Sequence, residues 1–233
     1  MITVENLNRS FPSGDGEFHA LKNVSLHVEN GECVVLKGVS GSGKTTLLSI
    51  IAGLDRPSSG KVLVEGEAIA KLPDWHLSQF RARRIGMIFQ HYNLMEHLTV
   101  EENVMVPLIP TGMDAETIDR QVDSALKQAN IIHKRSTSAA RISGGEKQRT
   151  SIARALAADP GIILCDEPTA NLDRANSLRF IEILDQLHEV GKTIVIATHD
   201  PLFDDLPFAA RVVGMEDGQI ADGDLAERVE SRK

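Results

Sequence analysis

A glycine-rich stretch has the residue types and the spacing of a phosphate-binding loop. Residues 38–45 read Gly-Val-Ser-Gly-Ser-Gly-Lys-Thr and match the pattern Gly-x-x-x-x-Gly-Lys-Ser/Thr. Such a loop directs backbone N–H groups at phosphate oxygens, while its lysine adds a positive charge and its last hydroxyl can hold Mg²⁺. The sequence therefore predicts a nucleotide site built from Gly38, Val39, Ser40, Gly41, Ser42, Gly43, Lys44, Thr45 and Thr46.

Two adjacent acids, Asp166 and Glu167, end the apolar run that begins at Ile162. Adjacent carboxylates repel each other unless a cation or a reacting water gives them a function. Asp166 is predicted to bind Mg²⁺, directly or through water, and Glu167 to deprotonate the water that attacks the γ-phosphate. An ordinary Asp-Glu-Pro turn is the alternative, and the phosphate-binding loop weighs against it.

Four apolar runs without alternation predict the buried strands of a largely parallel sheet. They are Cys33–Lys37, Ile85–Phe89, Ile162–Cys165 and Thr193–Ala197. Gln90 closes the second run and His199 closes the fourth. Because ligands of an open α/β sheet bind at the carboxyl ends of its strands, we expect Gln90, Glu167 and His199 to surround the nucleotide held at Lys44.

The remaining patterns predict one α/β domain over residues 1–233. The first thirty residues alternate roughly, as antiparallel strands do, and the helical run 46–54 follows the phosphate loop. Helices are expected near 99–106, 114–129 and 144–158. Since no strand pattern interrupts them, we interpret 91–159 as a helical sub-domain inserted between the core segments 1–90 and 160–233.

The segment Ser143-Gly-Gly-Glu146 has the spacing of a helix capping box. Each of its glycines costs up to roughly 1 kcal/mol relative to alanine inside a helix, so capping alone does not explain the pair. The two glycines indicate that another group must approach this backbone closely.

Composition and charge bear on the partners, the cysteine chemistry and the location of the protein. A net charge of −8 and a pI near 5.5 argue against a nucleic-acid partner, and the run Arg81-Ala-Arg83-Arg84 is interpreted as a solvated face. Cys33 and Cys165 lie in apolar runs without metal-site spacing, so both are expected to be reduced core residues. Neither a signal peptide nor an 18-residue apolar stretch is present, and this predicts a cytoplasmic protein.

Taken in order, the motifs resemble those of the ATP-binding subunit of an ABC transporter. The resemblance runs from about Ile2 to Gln219 and includes the phosphate loop, Gln90, residues 142–149, the Asp166-Glu167 pair, the segment Asn171-Leu-Asp173 and His199. It implies an α/β P-loop NTPase fold with a mostly parallel core sheet, an N-terminal antiparallel β sub-domain and an inserted helical sub-domain. It also implies an ATPase that uses ATP and Mg²⁺.

Individual roles follow from the same resemblance. Phe11 is expected to stack on adenine, Gln90 to sense Mg²⁺ and relay to a membrane partner, Asp173 to bridge subunits and His199 to contact the γ-phosphate. Ser143, Gly144, Gly145 and Glu146 of one subunit are expected to close over the ATP of a second subunit, giving two composite sites in a dimer, and a homodimer if both subunits are this chain. Ile142 and Ala170 depart from the commonest residues of the pattern, and both departures are conservative.

A permease and a location are implied as well. The pattern is most similar to the ATPases of lipoprotein-release, macrolide-export and cell-division complexes, which act on the cytoplasmic face of the plasma membrane through an integral membrane permease. Leu94, Met95 and 98–100 are interpreted either as the docking patch for that permease or as local packing. The alternatives are a non-transporting ABC complex of cell division, mechanotransmission or soluble type, and an unrelated P-loop kinase or GTPase.

Overall fold

The strands form two sheets, and the larger one contains all four strands that were predicted for the nucleotide site. The computed structural model describes residues 1–14, 16–206, 208 and 210–221, so the end of the predicted domain, 222–233, lies outside the described residues. The strands are β1 (Ile2–Ser13), β2 (Gly16–Val28), β3 (Cys33–Lys37), β4 (Ser59–Val64), β5 (Ile85–Ile88), β6 (Ile162–Asp166), β7 (Thr193–Thr198), β8 (Ala210–Glu216) and β9 (Gln219–Ile220).

The larger sheet has the order β5-β6-β7-β3-β8-β9. Its first five strands pair in parallel, and only β9 runs antiparallel to its neighbour β8. Strands β3, β6 and β7 are buried along almost their whole length, as their continuous apolar runs predict. The four predicted strands are confirmed to within one residue at each end.

The smaller sheet is antiparallel, with β1 between β2 and β4. The antiparallel character of the first thirty residues is therefore confirmed. Strand β4, however, was not predicted from the sequence, because three of its six residues are exposed and it shows no clear alternation.

The helices are α1 (Lys44–Ile51), α2 (Asp74–Arg84), α3 (Val100–Met105), α4 (Ala115–Gln128), α5 (Gly144–Leu156) and α6 (Arg174–Glu189). Helix α1 begins two residues earlier than expected and ends three residues earlier, so Lys44 and Thr45 belong to its first turn. Helices α3, α4 and α5 match the predictions for 91–159, and no strand interrupts them within that described stretch.

The parallel sheet separates two apolar clusters. On one face its side chains pack against α3, α4, α5 and α6, through residues such as Val104, Leu126 and Ile152. On the other face they pack against α1 and the antiparallel sheet, through residues such as Leu47 and Leu26. Because both faces of the parallel sheet are covered, the positions of its strands are fixed, and so are the loops at their carboxyl ends.

The interpretation of the basic run as a solvated face changes for one of its residues. Arg81 is half-buried and donates a hydrogen bond to the carbonyl of Gly53 at 2.9 Å, so only Arg83 and Arg84 of the basic run are exposed. Cys33 and Cys165 are free and buried, as expected, and burial raises the pKa of Cys33 to about 12.

Within the part of the chain that the structure describes, no helix combines the length and apolar character that crossing a bilayer requires.

Candidate nucleotide-binding site

The glycine-rich loop connects β3 to α1 and leads directly into the first turn of that helix. Gly43 adopts φ 101°, in the left-handed region, and a Cβ built there would lie 2.7 Å from the carbonyl oxygen of Ala20. Both the backbone conformation and the crowding therefore require glycine. Because no side chain caps α1, its first N–H groups remain available to an anion.

Lys44 is buried at the centre of the loop, with its side chain only 5 % exposed. Its ammonium donates hydrogen bonds to the carbonyls of Gly38 at 2.7 Å and Val39 at 3.0 Å. It also lies 3.7 Å from Oε1 of Glu167. The loop thus holds the lysine where phosphate oxygens would meet it.

Asp166 and Thr45 meet at one edge of this site. The Thr45 hydroxyl donates to Oδ1 of Asp166 at 2.9 Å. Burial raises the pKa of the Asp166 carboxyl, the hydrogen bond from Thr45 opposes that shift and the neighbouring Glu167 carboxylate adds to it. The Lys44 ammonium also lowers that pKa, but less than burial raises it. A hydroxyl beside a carboxylate is a donor set that suits Mg²⁺ completed by phosphate oxygens.

Glu167 is held by the residues that end β7. It has φ 44°, an uncommon value for a residue with a side chain, and its N–H donates to the carbonyl of Ala197 at 2.8 Å. The Thr198 hydroxyl donates to Oε2 at 3.1 Å, and Nδ1 of His199 lies 2.9 Å from Oε1. Sequence reasoning missed Thr198, because its contact with Glu167 joins two strands that are distant in the chain.

A cavity of about 200 Å³ lies over the loop. Gln90 and Glu167 line it, together with Ser40, Gly41, Ser42, Gly43, Lys44, Thr45 and Thr46. Gln90 therefore lines the same cavity as the phosphate loop. The aromatic side chain in the lining is Phe18 rather than the predicted Phe11, which pairs with Phe18 across β1 and β2 and carries the Arg9 guanidinium 4.3 Å above its ring.

The Ser143–Glu146 segment begins α5 as a complete capping box. Ser143 is the N-cap and accepts from the Glu146 N–H at 3.4 Å, while Oε2 of Glu146 accepts from the Ser143 N–H at 2.8 Å and from its hydroxyl at 2.9 Å. Among the described residues, no hydrogen bond or ion pair joins this segment to the phosphate loop. The subunit alone therefore does not unite the two halves of the predicted site.

The two glycines of this segment have different surroundings. A Cβ at Gly145 would lie 3.0 Å from the Asn176 side chain, so packing within the chain accounts for that glycine. A Cβ at Gly144 would meet only the Tyr92 hydroxyl, at an ordinary contact distance of 3.6 Å. Nothing within the described chain explains Gly144, which leaves its surface open to a group from outside.

Two further site residues are fixed by local contacts. Asp173 caps α6 by accepting from the Asn176 N–H at 2.8 Å, and its side chain is exposed. The Asn171 side chain donates to the carbonyl of Gln90 at 2.9 Å. The loop after β5 is thereby connected to the loop that precedes α6.

The interpretation of 98–100 as part of a docking patch is wrong for Val100. Val100 is the first residue of α3, and its side chain is fully buried because it faces the apolar cluster. Leu94 is partly buried against the same cluster, and Met95 is 44 % exposed. Local packing therefore accounts for most of that patch.

The site combines a phosphate loop after a parallel strand, a hydroxyl that is hydrogen-bonded to an acid, and a second acid held by the adjoining strand. Together they define a P-loop nucleoside triphosphatase. The ABC transporter family model matches residues 21–170. The chain therefore belongs to the ABC transporter family, and it is an ATPase of that family with a mostly parallel core sheet.

Comparisons with individual proteins agree with this assignment. An uncharacterized ABC transporter ATP-binding protein of Thermotoga maritima is 43 % identical over 210 residues, which are 89 % of this chain and 88 % of that protein. The macrolide export ATP-binding/permease protein MacB of Neisseria gonorrhoeae is 40 % identical over 94 % of this chain, and the chain spans only 34 % of MacB. The dimeric post-hydrolysis structure of the ATP-binding cassette MJ0796, bound to ADP and Pi, has a TM-score of 0.88 at 37 % identity and covers 97 % of this chain and 99 % of its own.

Proposed function

We propose that this chain is the ATP-hydrolysing subunit of a membrane transporter, and that it works as a homodimer with two ATP molecules between its subunits. Each ATP lies on the phosphate loop of one subunit and under the Ser143–Glu146 segment of the other. Gly144 carries this proposal, because its missing side chain has no explanation within the chain. The dimeric form of the similar cassette MJ0796 supports it.

The roles of the loop residues follow from their positions. The N–H groups of 40–45 and the Lys44 ammonium bind the phosphates, and Lys44 exchanges its two carbonyl partners for phosphate oxygens. Thr45 and Asp166 would hold Mg²⁺, and Gln90, which lines the same cavity as Thr45, would supply a further oxygen. When bound, Mg²⁺ neutralises the charge that develops on the transferring phosphoryl group.

Glu167 is the general base of the proposed reaction. Thr198 and His199 orient its two oxygens, so that the carboxylate faces the cavity and can accept a proton from a water aligned with the γ-phosphate. His199, 64 % exposed, can turn toward the γ-phosphate from this position. Closure of the second subunit excludes bulk water and supplies the N-terminus of α5 to the γ-phosphate.

The permease docks, in this proposal, in a groove of about 330 Å³ between α2, β5 and α5. Its lining is mainly apolar and includes Leu54, Phe89, Val106, Pro107, Pro110 and Ala158. Arg81 and Arg154 also line it, and neither has a carboxylate within 4 Å among the described residues. A permease helix with an apolar face and an acidic side chain fits this lining.

The core of the molecule is proposed to be the segments 1–90 and 160–233, with 91–159 as the helical sub-domain that carries Ser143. The subunit lies on the cytoplasmic face of the plasma membrane and is held there by the permease. MacB carries an ATP-binding part and a permease in its name, and this supports a partner of that kind.

Gly144→Val tests the composite site. The variant should fold and bind ATP like the original chain, because that ATP sits on the subunit's own Lys44, and it should lose hydrolysis and ATP-dependent dimerisation. Gly16→Val is the matched control, since a Cβ at Gly16 meets nothing within 4 Å and Gly16 lies on β2. Hydrolysis by Gly144→Val at the original rate, or a parallel loss of ATP binding, would contradict the proposal.

A further inference from the structure

Glu146 places a carboxylate beside the backbone that the proposed function assigns to a partner's γ-phosphate. Its Oε2 accepts two hydrogen bonds from Ser143, at 2.8 Å and 2.9 Å. The hydrogen bond from the Ser143 N–H, above all, lowers the pKa of Glu146, so this side chain is negatively charged at neutral pH. A phosphate approaching Ser143 therefore approaches a like charge.

Among the described residues, one cation forms an ion pair with Glu146. Nζ of Lys134 lies 3.4 Å from Oε1 of Glu146, the oxygen that Ser143 does not use. Lys134 ends a short 3₁₀ turn, Ile132–Lys134, and its side chain is 36 % exposed. Each carboxylate oxygen of Glu146 therefore has its own partner.

Neighbouring cations are already paired elsewhere. Arg135 binds the carboxylates of Glu101 and Asp119. Lys147, the next residue of α5, lies 3.2 Å from Glu96. Neither lies within 4 Å of Glu146, so removal of Lys134 leaves the Glu146 charge without an ion-pair partner among the described residues.

We propose that Lys134 is a positioning residue of the composite ATP site: it neutralises Glu146, so that Ser143 and Gly144 can receive the γ-phosphate bound to a second copy of this chain. This inference rests on the proposed function. Lys134 makes no contact with the nucleotide, and it acts only through its ion pair with Glu146. Its effect therefore appears in closing of the dimer and not in binding of ATP to one subunit.

Lys134→Met removes the charge and keeps the length of the side chain. In a Glu167→Gln background, which slows hydrolysis, we expect ATP binding to the monomer to be unchanged. We expect each composite site to close roughly threefold less favourably, within the range of a half-exposed ion pair. Because the dimer contains two such sites, its association constant should fall about tenfold. Sedimentation at a series of ATP concentrations measures dimerisation, and kcat and KM are measured in the chain with Glu167.

Rescue distinguishes neutralisation from a general structural role. Glu146→Gln keeps an oxygen that accepts from the Ser143 N–H and removes the charge, so Lys134→Met should have no further effect in that background. Lys134→Arg should behave like the original chain. Lys147→Met is the matched control, and it removes a lysine from the same region without changing the Glu146 pair.

The outcomes separate this inference from the proposed function. If Lys134→Met leaves dimerisation unchanged, or weakens it equally with and without the Glu146→Gln substitution, Lys134 does not act through the charge of Glu146. If Gly144→Val also dimerises normally in the presence of ATP, the composite site itself is wrong. If Gly144→Val blocks dimerisation and Lys134→Met does not, only the inference about Lys134 fails.

Discussion

Oε1 of Glu167 lies 2.9 Å from Nδ1 of His199, and the two residues follow neighbouring parallel strands. This contact holds the proposed base beside the loop that binds phosphate. We therefore expect Glu167→Gln to bind ATP normally and to lose roughly 10²- to 10⁴-fold in turnover, the usual contribution of a general base. Phosphate release measures turnover, and size-exclusion chromatography should detect an ATP-bound dimer.

Glu189→Gln is the control for that experiment, because Glu189 is exposed at the end of α6, before the first residue of β7, whereas the site residues follow the last residues of the strands. Its turnover should equal that of the original chain. Full turnover in Glu167→Gln would remove Glu167 from the role of base.

Thr198→Val tests how the base is oriented. Valine has almost the shape of threonine, but it cannot donate the 3.1 Å hydrogen bond to Oε2 of Glu167. We expect kcat to fall about tenfold, as for loss of one hydrogen bond to a charged group, with little change in KM. Thr193→Val, on the same strand, loses the bond from the Gly31 N–H and should lower the thermal midpoint without lowering kcat as much. Equal kcat values for the two variants would contradict the orienting role.

Asp166 should make stability depend on pH. Burial raises its pKa above the ordinary value of 3.8, so between these two pKa values the folded chain binds more protons than the unfolded chain. The free energy of unfolding contributed by Asp166 then falls as pH rises through that window. Asp166→Asn should therefore melt at a higher temperature than the original chain at pH 7, measured without nucleotide or Mg²⁺.

The difference between the two melting temperatures should shrink as pH falls below 3.8, where the original carboxyl becomes protonated in the unfolded state as well as in the folded state. A variant that is less stable than the original chain at pH 7 would show that Asp166 is stabilised in its ionised form. The same variant should lose Mg²⁺-dependent hydrolysis.

Arg81→Glu tests the proposed docking groove. The new charge would repel the acidic side chain expected on the permease helix, while the nucleotide site stays intact. We expect the variant to hydrolyse ATP normally as a purified subunit and to copurify poorly with membranes that contain the permease. Arg120→Glu, on the exposed face of α4, is the matched control. Normal recovery of Arg81→Glu in the permease complex would move the docking surface elsewhere.

The strands that carry the chemistry were predictable because burial on both faces leaves continuous apolar runs, as in β3, β6 and β7. Strands β4 and β8 were missed, since each mixes exposed or half-buried residues with buried ones and lacks a run of that kind. Helix α2 was missed for a similar reason, with Leu77 its one buried residue.

Individual contacts were less accessible to sequence reasoning than the motifs were. The capping box of Ser143 and Glu146 is local, and its spacing predicted it. The hydrogen bond from Thr198 to Glu167 and the ion pair of Lys134 with Glu146 depend on chain segments that only folding brings together. Phe18 lines the cavity and pairs with Phe11 across β1 and β2, and the stacking of Phe11 on adenine stays a prediction.

The pairing of β3 with β7 has a consequence for synthesis of the chain. Lys37, at the start of the phosphate loop, pairs with Thr198, and β6 reaches β3 only through β7. A chain still growing on the ribosome can contain the whole phosphate loop and yet have no neighbouring strand to fix it. Parallel pairing over such a long stretch of sequence forms late and slowly. The sheet edge that carries the site therefore forms only after synthesis has passed β7.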